Sequence, residues 1–156
     1  MAYFVGEFET TVDTKHRLAI SSEFREQINP DDDGQNFVLT LGTRRHLWLY
    51  PDRYHRQLLK NLKRSPLPSK HGTDLTIFFG TARIVRADNQ GRIVLPDKSL
   101  KRSNISERVT VVGNDDHLEI WPRDEWDKHV TDALEHYDEI ITQASDETEA
   151  LQDEKK

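Results

Sequence analysis

Val12-Asp13-Thr14-Lys15-His16-Arg17-Leu18-Ala19-Ile20 returns 75 residues later as Ala87-Asp88-Asn89-Gln90-Gly91-Arg92-Ile93-Val94-Leu95. Each copy has a small apolar residue, then Asp-x-x-x-Arg, then a short apolar run. A second pair follows in the same order, 71 residues apart: Gly42-Thr43-Arg44-Arg45-His46-Leu47-Trp48-Leu49-Tyr50-Pro51 and Gly113-Asn114-Asp115-Asp116-His117-Leu118-Glu119-Ile120-Trp121-Pro122. Gly, His, Leu and Pro are shared, and an aromatic precedes each Pro. One such match is weak evidence, but two in order mark an internal duplication. A twofold repeat is too short for a solenoid, which needs at least about three stacked units.

Both halves read as one pattern of elements. Tyr3 to Thr11 is a strand candidate, Asp13 to His16 a turn, and Arg17 to Ile20 a short strand. Ser21 or Ser22 can cap a short helix reaching Ile28. Phe37 to Leu41 and Leu47 to Tyr50 read as strands around Gly42. A helix begins near Pro51 and carries Tyr54, Leu58, Leu59 and Leu62. In the second half, Leu75 to Val85 reads as one long strand bent or bulged at Gly80, with Phe78 and Phe79 in the core. Asp88 to Gly91 is the turn, Arg92 to Leu95 a strand, and Pro96 starts a short helix. Val109 to Val112 and His117 to Trp121 form the last strand pair. The final helix runs from Arg123 with Trp126, Val130, Ala133, Leu134, Tyr137 and Ile141 in register.

This divides the chain into a first repeat over 1–64, a linker at 65–74, a second repeat over 75–144 and an acidic, disordered tail at 145–156. A half of this size is marginal alone. The expectation is therefore a mainly β, pseudo-twofold body with short helices and strands of both halves intertwined.

With 156 residues, the chain is too short for a TIM barrel and tight for a six-stranded dinucleotide-binding sheet. The net charge of -6, read alone, argues against a general nucleic-acid binder. It is unevenly spread, however: Asp124 to Lys156 holds 12 acids and 3 bases, which leaves the first 123 residues at +3. A mildly basic body carries an acidic tail, and that tail can stay solvated, repel non-specific DNA or bind a basic partner. The absence of cysteine excludes disulfides, thiolate catalysis and Cys-ligated zinc. The start has no basic segment followed by a long apolar run, and no stretch reaches the ~20 apolar residues of a membrane helix, so a cytosolic protein without membrane contact is expected. There is no His-Glu-x-x-His, calcium-loop, phosphate-loop or nucleophile-elbow motif. An enzyme is not expected, nor is a cofactor or metal. The matched His46 and His117 read as structural residues of a turn.

Gly6-Glu7-Phe8, Asp13 to Arg17, Phe78-Phe79-Gly80, Asp88 to Arg92 and Leu118-Glu119-Ile120-Trp121-Pro122 together resemble the MraZ family of bacterial transcriptional regulators, of AbrB/SpoVT-like fold. The resemblance covers roughly residues 1 to 142. It implies duplicated swapped-hairpin units forming a double-looped β-barrel-like body. It also implies a ring homo-oligomer that binds repeated short boxes of double-stranded DNA. Its expected role is a nucleoid-associated regulator, typically a repressor, of the division and cell-wall gene cluster including its own gene. Two positions depart from the family pattern: His16 stands where the family has Gly, and Ser21 where it has Pro, while Gly91 and Pro96 keep the pattern in the second half.

The resemblance places Lys15, His16 and Arg17 in a first DNA-facing loop and Gln90 and Arg92 in a second, with Asp13, Asp88 and Gly91 shaping the loops. Arg17 and Arg92 are the readout candidates, because a guanidinium can bond two acceptors on a guanine or grip a phosphate. The alternative is that each Asp-Arg pair only staples a β-turn. Lys15 and Arg44-Arg45 suit phosphate contact or are plain solvated charges, and Arg83 and Arg86, flanking the second loop, can add phosphate contacts. Arg44-Arg45 become Asp115-Asp116 in the second repeat, so these turns are expected to lie away from DNA. Two rival readings are an antitoxin-like DNA-binding protein and a scaffold that binds a partner through the acidic tail.

Overall fold

The computed structural model describes residues 1–60 and 75–155. Residues 61–64 of the expected first repeat, Leu62 among them, and the expected linker at 65–74 lie outside the described residues. In chain order the elements are β1 (Glu7–Thr11), β2 (Arg17–Ala19), α1 (Ser22–Glu26), α2 (Pro30–Asp33), β3 (Phe37–Leu41), β4 (Leu47–Pro51), α3 (Asp52–Leu59), α4 (Leu75–Thr81), β5 (Arg83–Val85), β6 (Arg92–Val94), α5 (Asp97–Ser103), β7 (Arg108–Asn114), β8 (His117–Pro122), α6 (Arg123–Leu134) and α7 (Tyr137–Glu154).

Alternation along the strands decides their faces. Leu47, Leu49 and Pro51 of β4 are buried between half-buried Trp48 and Tyr50. The β-branched run Val109-Thr110-Val111-Val112 favours a pleated, buried strand. Six strands form one antiparallel sheet in the order β1-β7-β8-β4-β3-β5. The halves are interleaved: β1 pairs with β7 of the other half, and β5 pairs with β3. At the centre β4 meets β8, with Leu47 opposite Ile120 and Leu49 opposite Leu118. Exchanging β1–β4 for β5–β8 maps this order onto itself reversed, so a pseudo-twofold axis passes between β4 and β8. The remaining strands, β2 and β6, pair with each other in a separate two-stranded ribbon.

Sheet and ribbon share one core. Phe4, Leu18, Ile20, Leu39, Leu47, Leu49, Ile93, Leu95, Val109, Val111, Leu118 and Ile120 are fully buried. They come from both halves, so neither half encloses this cluster alone. Phe24 of α1 closes one end, edge-on to Phe4. Ser21 stands in place of proline and caps α1 by accepting from the Glu23 amide, while Pro96 precedes α5. Residues Met1–Arg123 make one compact unit and Asp124–Lys156 another.

Three expectations need correction. The long strand over 75–85 is a helix, α4, followed by the short β5. Leu75, Phe78, Phe79 and Thr81 are its partly covered residues, the first three at i, i+3 and i+4, and the Thr81 hydroxyl donates to the Ile77 carbonyl. An apolar run this short fits either state by composition, and here the helical period prevails. Phe78 and Phe79 are accordingly half-buried, edge-to-face on each other, rather than core. The last helix is interrupted at Glu135-His136 and divides into α6 and α7. Finally, α7 continues through residues 145–154, which were expected to be disordered. Ala, Glu, Gln and Leu are strong helix formers and dominate that segment.

Candidate nucleic-acid interface

The two Asp-x-x-x-Arg segments fold into the same loop. In the first, Asp13 Oδ1 accepts from the Lys15 and Arg17 amides at 2.9 and 2.8 Å, and Oδ2 accepts from Arg17 Nε at 2.6 Å. In the second, Asp88 Oδ1 accepts from the Gln90 and Arg92 amides at 2.8 and 2.9 Å, and Oδ2 from Arg92 Nε at 2.9 Å. An aspartate bonded to the amide two residues on is the usual way this side chain shapes a turn. The backbone N–H of Arg17 and of Arg92 lead the contacts that hold Asp13 and Asp88 below the ordinary carboxylate range, so both stay ionised. Each staple engages only the Nε–H of its arginine. The terminal amino groups carry the other four N–H donors of each guanidinium. Stapling and outside contact are therefore compatible roles for one residue.

The ribbon brings the two arginines onto one surface. Arg17 lies opposite Val94, Leu18 opposite Ile93 and Ala19 opposite Arg92. Directly opposed residues share a face and side chains alternate along a strand. Leu18 and Ile93 are the inward pair, both buried. Arg17, Ala19, Arg92 and Val94 therefore share the outward face. Two residues along one strand and one step across place the Arg17 and Arg92 backbones about 8 Å apart.

Bonds between the halves hold the loops to the ribbon. The Ile20 amide donates to the Gly91 carbonyl at 2.9 Å, and the equivalent Leu95 amide donates to the His16 carbonyl at 2.8 Å. His16 and Gly91 both sit in the left-handed region, at φ 61° and 75°. The family's Gly position thus keeps its conformation although this chain places His there, a residue that tolerates positive φ better than a branched one. The backing of the two loops differs. His16 Nδ1 lies 2.8 Å from Asp97 of α5. Gly91 instead faces Arg25 of α1, whose Nε donates to the Ile20 carbonyl at 3.1 Å. A Cβ on Gly91 would come within 2.6 Å of that nitrogen.

Lys15, Arg86 and Gln90 are exposed. The flanking Arg83 turns back instead, donating to the Gly80 and Ala82 carbonyls. Sequence reading missed Arg25 and Asp97. Arg25 aligns with Leu100 across the repeat, so the duplication gave no hint, and each acts on the opposite half.

The Arg44-Arg45 and Asp115-Asp116 turns belong to the six-stranded sheet. Arg44 lies over the Trp121 ring, 5.8 Å from its centroid. Asp116 belongs to a buried ionic cluster. It accepts from the Tyr54 hydroxyl through Oδ2 and meets His117 Nδ1 through Oδ1, both at 2.7 Å. His117 Nε2 lies 2.8 Å from Glu119, which also accepts from Asn114 and Trp121. Trp48 and Tyr50 stack on the His117 ring. Burial opposes the imidazolium, but hydrogen bonds and charge from Glu119 and Asp116 outweigh it and raise the His117 pKa. Burial likewise opposes the Glu119 charge, yet bonds from His117, Asn114 and Trp121 pull its carboxyl down to about 2. Both matched histidines are buried against aromatic rings, His46 against Trp121 at 4.1 Å.

A family model described as "MraZ protein, putative antitoxin-like" matches residues 3–76 and again 78–148. The chain is 34% identical over 144 residues to a protein of Clostridium tetani named transcriptional regulator MraZ, covering 92% of this chain and 97% of that one. A protein of the same name from Alkaliphilus metalliredigens is 33% identical over 138 residues, 88% of this chain and 93% of its own. Another from Clostridium acetobutylicum is 33% identical over 124 residues, 79% and 84% of the two chains. Duplicated loops on a shared ribbon and likeness over most of the chain lead to one conclusion: the chain belongs to the MraZ family.

Proposed function

We propose that this protein is a sequence-specific DNA-binding transcriptional regulator that reads the major groove with the outward face of the β2–β6 ribbon. The observation that carries the reading is the pair Arg17 and Arg92, each stapled by its own aspartate and both on that face. A two-stranded ribbon is one of the two element types that fit the major groove, and arginine to guanine is the commonest specific contact there. Lys15, Arg86 and Gln90 supply backbone contacts around it, and His16 adds a contact from the first loop. The name of the relatives, transcriptional regulator, supports the same role.

The finer reading is a ring homo-oligomer bound to repeated promoter-proximal boxes, repressing the division and cell-wall gene cluster with its own gene. Such a protein works in the cytoplasm on the nucleoid. One ribbon offers few contacts, so affinity comes from several ribbons linked in one assembly. The family's antitoxin-like description favours a second reading, in which DNA binding accompanies neutralisation of a partner protein.

The test is binding to the protein's own upstream DNA at two salt concentrations, wild type against the Arg17→Ala, Arg92→Ala double variant, with sizing of both. Specific binding lost only in the double variant, at unchanged assembly, is expected. Equal preference for upstream and scrambled DNA by wild type overturns the reading.

A further inference from the structure

Helix α7 repeats its apolar residues in heptads. Tyr137, Ile141, Ala144, Thr148 and Leu151 follow at spacings of 4, 3, 4 and 3, with Ile140 beside them. These spacings place the five on one stripe of the helix. The stripe is open: Tyr137, Ile140, Ile141 and Leu151 are 51%, 44%, 51% and 59% exposed, and Ala144 and Thr148 are exposed as well. Single exposed apolar residues are ordinary, but a stripe that recurs along an 18-residue helix, weaker at Ala144 and Thr148, is a contact surface in waiting.

The charges of the same helix select its occupant. Tyr137–Glu154 holds seven carboxylates and no lysine or arginine. Glu147 and Glu154 border one side of the stripe and Asp138 the other. Asp153 and Glu154 sit at the C-terminal end, where the helix dipole disfavours acids. Glu149 and Asp153 form a like-charge i, i+4 pair, which also weakens the helix. A second α7 would bring seven more carboxylates against these. A partner with lysines and arginines beside its own apolar stripe would cover the surface and relieve each of these repulsions.

We propose that α7 is a docking helix for a basic amphipathic helix of a partner protein. This surface lies outside the β2–β6 ribbon and does not depend on the DNA-reading role. It includes Leu151, beyond the last residue matched by the family model.

The test uses the full chain and two synthetic helical peptides of α7's length, both with leucine at the heptad core positions. One has lysine at the flanking positions and the other glutamate. Calorimetric titration, with amide exchange over 137–151, is expected to show one lysine peptide bound per chain and slowed exchange along the stripe. Binding should weaken with added salt, and the glutamate peptide should not bind. The Ile141→Lys, Leu151→Lys variant should lose about tenfold or more in affinity, while the melting temperature of the Met1–Arg123 unit stays unchanged. Equal binding of both peptides, or undiminished binding by the variant, overturns the proposal. So does sizing that shows the wild-type chain associating through this stripe and the variant dissociating, because the occupant would then be a second copy.

Discussion

The duplication left two pairs of matching turns, and they have fared differently. Loops 13–17 and 88–92 keep the same three aspartate bonds, atom for atom. The sheet turns at 43–46 and 114–117 keep less: Arg44 and its counterpart Asp115 share φ near 60°, but Arg45 is left-handed where Asp116 is not, and the side chains reverse in charge. A hairpin needs residues that accept a left-handed conformation and little else, so its side chains can take up separate work. One turn lays Arg44 on Trp121, while the other anchors α3 through Tyr54, Asp116, His117 and Glu119. The loops in which each aspartate binds its own arginine keep both residues.

The largest effect is expected where the sheet turns differ most. His117→Ala leaves Asp116 and Glu119 facing each other's charge in a buried site and should cost about 3–5 kcal/mol. His46→Ala at the matched position removes aromatic packing and should cost about 1–3 kcal/mol. Equal losses in denaturant unfolding would break the contrast between the turns. The cluster also sets a pH window. His117 titrates above its usual 6.5 when folded, so its contribution is complete below 6.5 and is lost as pH rises through the folded value. Glu119 falls from 4.5 to about 2, so its contribution is complete above 4.5 and is lost as pH falls toward 2. Tyr50 faces the ring and is pushed up to about 12 by burial and by Asp116 and Glu119, so it stays neutral throughout. The stability gap between wild type and His117→Ala should be widest from pH 4.5 to 6.5 and shrink on either side.

The loop pair is matched in its staples and unmatched in its backing. Loop 88–92 has Arg25 behind it and Arg86 beside it, whereas loop 13–17 has the acid Asp97 against His16. Arg92→Ala should therefore cost more DNA affinity than Arg17→Ala, each within about 1–3 kcal/mol. Competition titrations on one operator box measure the difference, and the reverse order would show that the backing charges do not rank the loops.

Gly91→Ala is next. It places a Cβ in a left-handed residue at about 1 kcal/mol and drives Arg25 off the Ile20 carbonyl at about 1 kcal/mol more. A loss near 2 kcal/mol in unfolding, with weaker DNA binding, is expected. Stability unchanged by Gly91→Ala would remove Arg25 as a support of the second loop.

Legibility follows the same division. The Asp-x-x-x-Arg copies were readable because the residues that build each loop lie within five positions, and the short strand after each follows from its apolar run. Intertwining was readable from the marginal size of each half. Arg25 on Gly91 and Asp97 on His16 were not, since each joins one half to the other and neither repeats. The His117 cluster was hidden for a related reason: Tyr54 reaches Asp116 from a helix far away in sequence, and only the folded sheet sets Trp48 and Tyr50 on the same ring. α4 was misread because Leu-Thr-Ile-Phe-Phe is rich in strand-prone residues and too short for its period to decide. In α7 the stripe weakens at Ala144 and Thr148, which hides the helix beyond them.

His16→Gly is the smallest effect and the sharpest probe of whether the loops are interchangeable. The substitution restores the residue that the second loop carries. It relieves a left-handed L-residue, by about 1 kcal/mol. Against this stand the greater freedom of glycine in the unfolded chain and the lost bond to Asp97, an exposed pair worth under about 1 kcal/mol. The terms nearly cancel, so stability should move by less than about 0.5 kcal/mol. DNA binding should move further, because the change removes both the contact proposed for His16 and its bond to Asp97 while leaving the Asp13–Arg17 staple intact. If the binding gap between Arg17→Ala and Arg92→Ala narrows in the His16→Gly background, the backing residues make the loops unequal. If the gap stays, the inequality lies instead in the exchanges at the 75-residue offset, where Arg86 answers to Thr11 and Gln90 to Lys15.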